Sequence, residues 1–217
     1  MIRQDYIMRM IEQLAKVLSK ILFNKKTENY QEAFNNIDTA FKSIAGVDYS
    51  LISSLSAKDI ISLLGIYKDD TSASIKYIII ARLLKERIEI KKLSDKEELV
   101  SIYDYQKILY LYLEGILNNR SMEASLIEYY SDVKEVVKEI EAEIPKDIRF
   151  KLFQFYEFIG EYDKARGELF KLRALSYPNI EGEGFKFFRN LEKLNETDLE
   201  KGNISKKEVI EGLSEFY

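Results

Sequence analysis

The chain has no histidine, no cysteine and no tryptophan, and only two prolines among its 217 residues. Each absence removes a kind of chemistry. Without histidine there is no Ser-His-Asp or Cys-His catalysis, no H-E-x-x-H zinc site and no imidazole ligation within this chain. Without cysteine there is no disulfide, no thiolate nucleophile and no thiol-ligated metal, a pattern that fits a reducing cytosol. Neither G-x-x-x-x-G-K-[ST] nor G-x-G-x-x-G occurs, so the common phosphate-cradling loops are missing. The 33 basic and 37 acidic residues are intermixed and leave a net charge of −4, which gives no basic footprint for a nucleic acid. The longest apolar runs, Tyr77 to Ala81 and Ile108 to Leu113, are far too short to span a bilayer. The opening M-I-R-Q-D-Y-I-M-R-M, with Asp5 and then Glu12 among its apolar residues, does not read as a signal peptide. The expectation is a soluble cytoplasmic protein with no membrane insertion and no nucleic-acid partner.

What remains is rich in helix-compatible sequence. A content of 46% hydrophobic residues can bury a sizeable core, and the scarcity of proline and glycine leaves long stretches free to run as helix. Pro145 and Pro178 both fall at helix borders, which predicts an all-α chain. No Pro/Gly/Ser linker divides it, so residues 1–217 read as a single helical domain. Ile2, Tyr6, Met10, Leu14, Val17 and Ile21 mark a long first helix, and Tyr30 opens a second after a polar loop. Asp48 and Ser56 are N-cap candidates for short helices, with S-A-K-D at Ser56 to Asp59 resembling a capping box. Asp69, Asp70 and Thr71 precede a helix through Ile75, Ile79 and Leu83. Its end, R-L-L-K-E-R-I-E-I-K-K, alternates apolar and charged residues; with no second strand to pair with, helix is the better reading. Ser94 reads as the opening of the next helix, through Leu99, Ile102, Tyr105, Leu109 and Leu113. Further helices follow through Ala124, Ile127, Val133, Val137 and Ile140, ending before Pro145, then through Phe185, Phe188 and Leu191 with Gly182 and Gly184 loosening the start, and from Asn203 and Ser205 to Phe216 and Tyr217.

The segment from Leu152 to Pro178 carries the clearest local pattern. Leu152, Phe153 and Tyr156 share one helix face, Gly160 ends that helix, and Tyr162, Ala165, Leu169 and Leu172 line the next. This helix, glycine turn and helix resemble one tetratricopeptide repeat, closely over the turn and second helix and more loosely over the first. Phe153 stands where that family has a mid-helix glycine, and Pro178 falls one place late. Tyr30, Ala33, Ile37 and Ala40 repeat the spacing of Tyr162, Ala165, Leu169 and Leu172, so Val17 to Phe41 reads as a degenerate second copy without a turn glycine. The resemblance implies tetratricopeptide-like stacked helical hairpins forming an α-α superhelix, with an irregular middle, and a role in binding other proteins. The whole chain, especially its opening M-I-R-Q-D-Y-I-M-R-M-I-E-Q-L, also resembles an uncharacterised family of small proteins from Firmicutes-type bacteria, which implies a cytoplasmic, bacterial protein of unknown function and supplies no catalytic residues.

The candidate chemistry is confined to carboxylates, lysines and tyrosines. Asp132, Glu135, Glu139 and Glu143 share a helix face and offer oxygens to Mg2+ or Ca2+, although interleaved Lys134 and Lys138 favour a solvated, ion-paired face. Asp69 and Asp70 read as helix-start acids. Lys76 and Lys107, flanked by apolar residues, are the nearest Schiff-base candidates, with snorkelling as the simpler account. Tyrosine is in excess at 15 residues, and Tyr103, Tyr105, Tyr110 and Tyr112 crowd one helix. They form two heptad-spaced stripes: one suits the core, and the other either lines a groove for a partner or, as the simpler account, fills space between helices. The first helix, with Arg3, Arg9, Lys16 and Lys20 around a wide apolar face, suits packing against the second helix, with self-association or a membrane surface as alternatives. The function these features support is a non-enzymatic scaffold that holds a peptide or helix of another protein in a helical groove, with no metal or other cofactor. The alternative is a carboxylate-dependent metal enzyme built on Asp132, Glu135 and Glu139.

Overall fold

The computed structural model describes residues 2–65, 71–95 and 100–216, and among them every regular element is helical. The chain's contacts gather into two compact units, residues 1–143 and residues 144–217. Asp69, Asp70 and Leu99 lie outside the described residues.

The first unit opens with a hairpin of α1 (Ile2–Lys26) and α2 (Tyr30–Ala40). Ile7, Met10, Leu14 and Ile21 of α1 are buried, as are Ala33, Ile37 and Ala40 of α2, the small alanines letting the two axes approach. The chain reverses through Glu28, held at φ 55°, while the Asn29 N–H donates to the Asn24 carbonyl at 2.9 Å and the Glu28 N–H to that of Lys25 at 3.3 Å. This is a Schellman closure with a charged residue in the left-handed position usually given to glycine. One wide π turn, Phe41–Ala45, extends α2 and stops at Gly46, φ 76°. Two short helices follow, α3 (Tyr49–Ser54) and α4 (Ala57–Leu64). The Ser56 and Asp59 capping box forms as the sequence predicts. Asp48 occupies the N-cap position of α3 without capping it, because its carboxylate pairs with Lys42 at 2.9 Å.

Helix α5 (Thr71–Ser94) is the axis of this unit. Ile75, Ile78, Ile79, Ile80 and Leu83 are each at most 1% exposed, so the helix is wrapped on most sides and shows no amphipathic period. That wrapping explains why R-L-L-K-E-R-I-E-I-K-K resembles a strand in one dimension yet is helical throughout. Ser94 does not open the next helix. It is the last residue of α5, its hydroxyl donating back to the Lys91 carbonyl at 3.2 Å, the local bond that serine makes in a final turn. Helix α6 (Ile102–Leu117) starts after Ser101, whose hydroxyl accepts the Tyr103 N–H at 3.2 Å. Gly115 lets α6 lie against α5: a Cβ there would sit 2.8 Å from the Ser74 carbonyl and collide with Ile78. Helix α7 (Glu123–Leu126) is a single turn, and α8 (Glu128–Ile140) packs along α6.

The second unit contains α9 (Lys146–Phe158), α10 (Tyr162–Ala174), α11 (Ile180–Glu192), α12 (Glu196–Lys201) and α13 (Lys206–Glu215). Helices α9 and α10 form the hairpin read from Leu152 to Pro178. Gly160, at φ 75°, is its C′ residue, with the Glu161 N–H on the Tyr156 carbonyl at 2.9 Å and the Gly160 N–H on that of Glu157 at 3.2 Å. Tyr162 packs its ring on Gly202, at the end of α12. Gly184 does not loosen α11. It gives up its side chain so that the Phe216 ring can seat there, and Phe153, Phe187, Phe188 and Phe216 then form a chain of rings with centroids 5.0 to 5.7 Å apart.

Candidate functional site

The densest polar chemistry lies inside the first unit, on the inward face of the charged end of α5. Arg82 Nη1 sits 2.7 and 2.6 Å from the two Asp132 oxygens, and Arg82 Nη2 lies 2.6 Å from Glu86. Lys85 pairs with Glu89 at 2.8 Å, Asp132 at 3.1 Å and Glu135 at 2.8 Å. Lys25 of α1 reaches Glu86 at 3.0 Å and Glu89 at 2.6 Å. The fully buried Tyr112 donates its hydroxyl to Asp132 at 2.9 Å. Burial opposes the charge on Lys85 and Lys25, yet the surrounding carboxylates outweigh it and raise both pKa values. Burial likewise pushes Glu89 up, but hydrogen bonds from Lys25 and Lys85 bring it below the usual carboxylate value. Burial, with Asp132 beside it, drives the Tyr112 hydroxyl well above the ordinary tyrosine value. Each charge thus has a partner. The arrangement ties α1, α5, α6 and α8 into one register.

The residues singled out by sequence fall around this network. Asp132 and Glu135 are held by Arg82 and Lys85, and Glu139 pairs with Lys92 at 2.9 Å. The Glu143 carbonyl accepts a bond from Gln106 at 2.7 Å. Asp132, Glu135 and Glu139 are therefore each paired with a cation, and among the described residues no group of three or more Asp and Glu is placed to hold a metal ion. The tyrosines of α6 separate into the two stripes read from their spacing. Tyr105 and Tyr112 are buried, while Tyr103 is 78% exposed and Tyr110 is half-buried with the Lys58 ammonium 6.0 Å from its ring centroid. Lys76 is half-buried on α5.

Lys107 has a different setting. Its ammonium donates to the Ile52 and Ser53 carbonyls at 3.3 and 3.0 Å, capping the last turn of α3, and no carboxylate among the described residues forms an ion pair with it. Burial lowers its pKa, only partly offset by Asp104 one turn earlier. It lines a cleft of about 60 Å³ between α3, α5 and α6, with Tyr49, Leu84, Arg87 and Ile108. That space admits a few atoms, on the scale of one carboxylate and its methylene. Arg87 is fixed within the wall: Nη1 is 2.8 Å from Asp38, and its guanidinium carbon lies 3.7 and 4.8 Å from the Tyr49 and Phe34 ring centroids. Its Nε is buried without a hydrogen-bond partner. The cleft combines the positive charge of Arg87 and Lys107 with apolar walls, and the Asp104 carboxylate lines it as well.

A family model, described as a family of unknown function (DUF6483), matches residues 1–217. The chain belongs to that family. No curated protein and no solved structure matches it. Roles for DUF6483 residues therefore come from this geometry. No helix among the described residues is long and apolar enough to cross a membrane. Sequence reading passed over Arg82, Lys85, Glu86 and Arg87. The available signal was the opposite charge at i and i+4, Arg82 with Glu86 and Lys85 with Glu89, inside an otherwise apolar helix.

Proposed function

We propose that the protein is a non-enzymatic binding module that docks a peptide or helix of another protein, and that an acidic side chain of this partner enters the cleft beside Lys107. The observation that carries the reading is the contrast between two sets of charges. The α5 network is closed upon itself, whereas the half-buried Lys107 ammonium is hydrogen-bonded by two backbone carbonyls, with the Asp104 carboxylate one turn away only partly offsetting its burial. A carboxylate there recovers the Coulomb energy that burial has withheld, and apolar Leu84 and Ile108 receive its methylene. Helical hairpins, which resemble tetratricopeptide units, suit a scaffold in which pockets give specificity and helix faces give area.

A phage-displayed peptide library panned on the full chain tests this. Enriched sequences are expected to share an Asp or Glu, and a selected peptide should bind Lys107→Gln roughly tenfold more weakly, the loss of one charge-assisted hydrogen bond. Affinity should also fall at alkaline pH as Lys107 loses its proton, below the ordinary lysine value of 10.5. Selection of peptides without an acid, or equal affinity for Lys107→Gln, would remove the cleft from the function.

A further inference from the structure

Helix α1 carries two apolar seams side by side. Ile7, Met10, Leu14, Val17 and Ile21 follow the alternating three- and four-residue spacing of a packing seam, and this one is filled by α2 and α5. One residue further on, Met8, Ile11, Ala15, Leu18 and Leu22 repeat the same spacing. Met8 and Leu22 are 40% and 45% exposed, Ala15 is exposed, and Ile11 and Leu18 are half-exposed. A lone surface leucine needs no explanation, but a full a/d seam beside an occupied one does.

We infer that the second seam pairs with the same seam of another copy of this chain, the two α1 helices running antiparallel. Charge chooses both the occupant and the direction. Asp5, Glu12, Ser19 and Lys26 recur every seven residues along the flank of this seam, acidic at the N-terminal end and basic at the C-terminal end. An antiparallel copy sets Asp5 opposite Lys26 and Glu12 opposite Ser19, and it also aligns the two helix dipoles favourably. Ala15, near the middle, is small enough for close approach of the axes. The seam spans roughly 21 Å, so the pair is weak, with a Kd of roughly micromolar order. This inference goes beyond the binding-module reading and uses a different surface, so either can fail alone.

Sedimentation equilibrium of the full chain, over roughly 1 to 200 µM, should show a monomer–dimer equilibrium. Ala15→Glu and Leu22→Glu should each leave a monomer with unchanged helicity. Because the chain has no cysteine, single introduced thiols report direction cleanly. Under mild oxidation Ala15→Cys should crosslink to itself, and Met8→Cys should crosslink to Leu22→Cys in a mixture but not to itself, since antiparallel copies place two Met8 positions about 21 Å apart, beyond disulfide reach. A monomer at every concentration, whether or not it binds anionic vesicles, overturns the inference. Self-crosslinking of Met8→Cys overturns the antiparallel arrangement.

Discussion

The hairpins α1–α2 and α9–α10 are built on one pattern with different means. Counted from the left-handed residue of the turn, Tyr30 matches Tyr162, Ala33 matches Ala165, Ile37 matches Leu169 and Ala40 matches Leu172, with no gap. Both turns close by the same pair of bonds, onto the Asn24 and Lys25 carbonyls in one and the Tyr156 and Glu157 carbonyls in the other. The turn residue itself differs: Glu28 in the first hairpin, Gly160 in the second. So does the interior. Arg149 and Glu168, 7% and 5% exposed and 2.9 Å apart, cross the second hairpin, where the first has Val17 and Asn36. The first hairpin takes its charged anchor from outside, through Lys25 to Glu86 and Glu89 of α5. The shared helix geometry is thus set by the alanine contact and the turn bonds, and the buried charges around it are free to vary.

Breaking the internal pair should have the largest effect. Arg149→Ala leaves the Glu168 carboxylate buried with only Lys171, at 2.8 Å, in place of two cations, and is expected to cost about 3–5 kcal/mol. Replacing both residues by leucine should cost much less, since no charge is then left buried without its partner. Amide exchange within α9 and α10, with urea unfolding beside it, reads both variants. An Arg149→Ala loss below about 0.5 kcal/mol would mean that the pair does not anchor the hairpin.

The turn residues give a smaller effect of opposite sign in the two hairpins. Gly160→Ala forces a Cβ into a left-handed conformation and should destabilise by about 1–2 kcal/mol. Nothing lies within 4 Å of the position that Cβ would take, so the cost is conformational and not steric crowding. Glu28→Gly relieves the same strain, and should stabilise the first hairpin by up to about 1 kcal/mol, less the backbone freedom that glycine adds to the unfolded chain. Thermal unfolding of the two single variants compares them directly. If both shifts have the same sign, the closures are not equivalent.

Much of this comparison could be read from sequence, and the reasons for the rest are specific. Gly160, Ala165, Ala33 and the Ser56 to Asp59 box act within a few residues of themselves, so spacing alone exposes them. The first turn was harder, because Glu28 adopts a conformation that its residue type does not announce. Helix α5 gave an ambiguous signal because neighbours cover most of its circumference, which erases the period that marks a helix. Asp132 was visible as part of a charged stripe; that it meets Arg82, Lys85 and Tyr112 depends on three helices distant in sequence. The Lys107 cleft is likewise assembled from residues near 50, 88 and 107, and only the lysine among them looked unusual beforehand.

The weakest contrast concerns pH. Glu89 folds with a pKa below its unfolded value of 4.5, so its contribution is present above that pH and fades as acid carries the solution down through the lower, folded value. Glu208, which receives the Ser205 N–H and hydroxyl and faces Arg166 of α10, is lowered to about 2, so the second hairpin's link to α13 fades across the same acid range. The alkaline side separates the two. Lys25 is raised above 10.5, so its contribution is complete below that pH and is lost as pH climbs through the folded value. The first hairpin should therefore loosen above about pH 10.5 through this tether, by less than about 1 kcal/mol because Glu89 is partly exposed to solvent. A Lys25→Arg variant keeps its charge at that pH. Urea midpoints followed by far-UV circular dichroism at about pH 8 and about pH 11 should fall more for the wild-type chain than for Lys25→Arg. Equal falls would place the alkaline loss elsewhere and leave the two hairpins alike in their response.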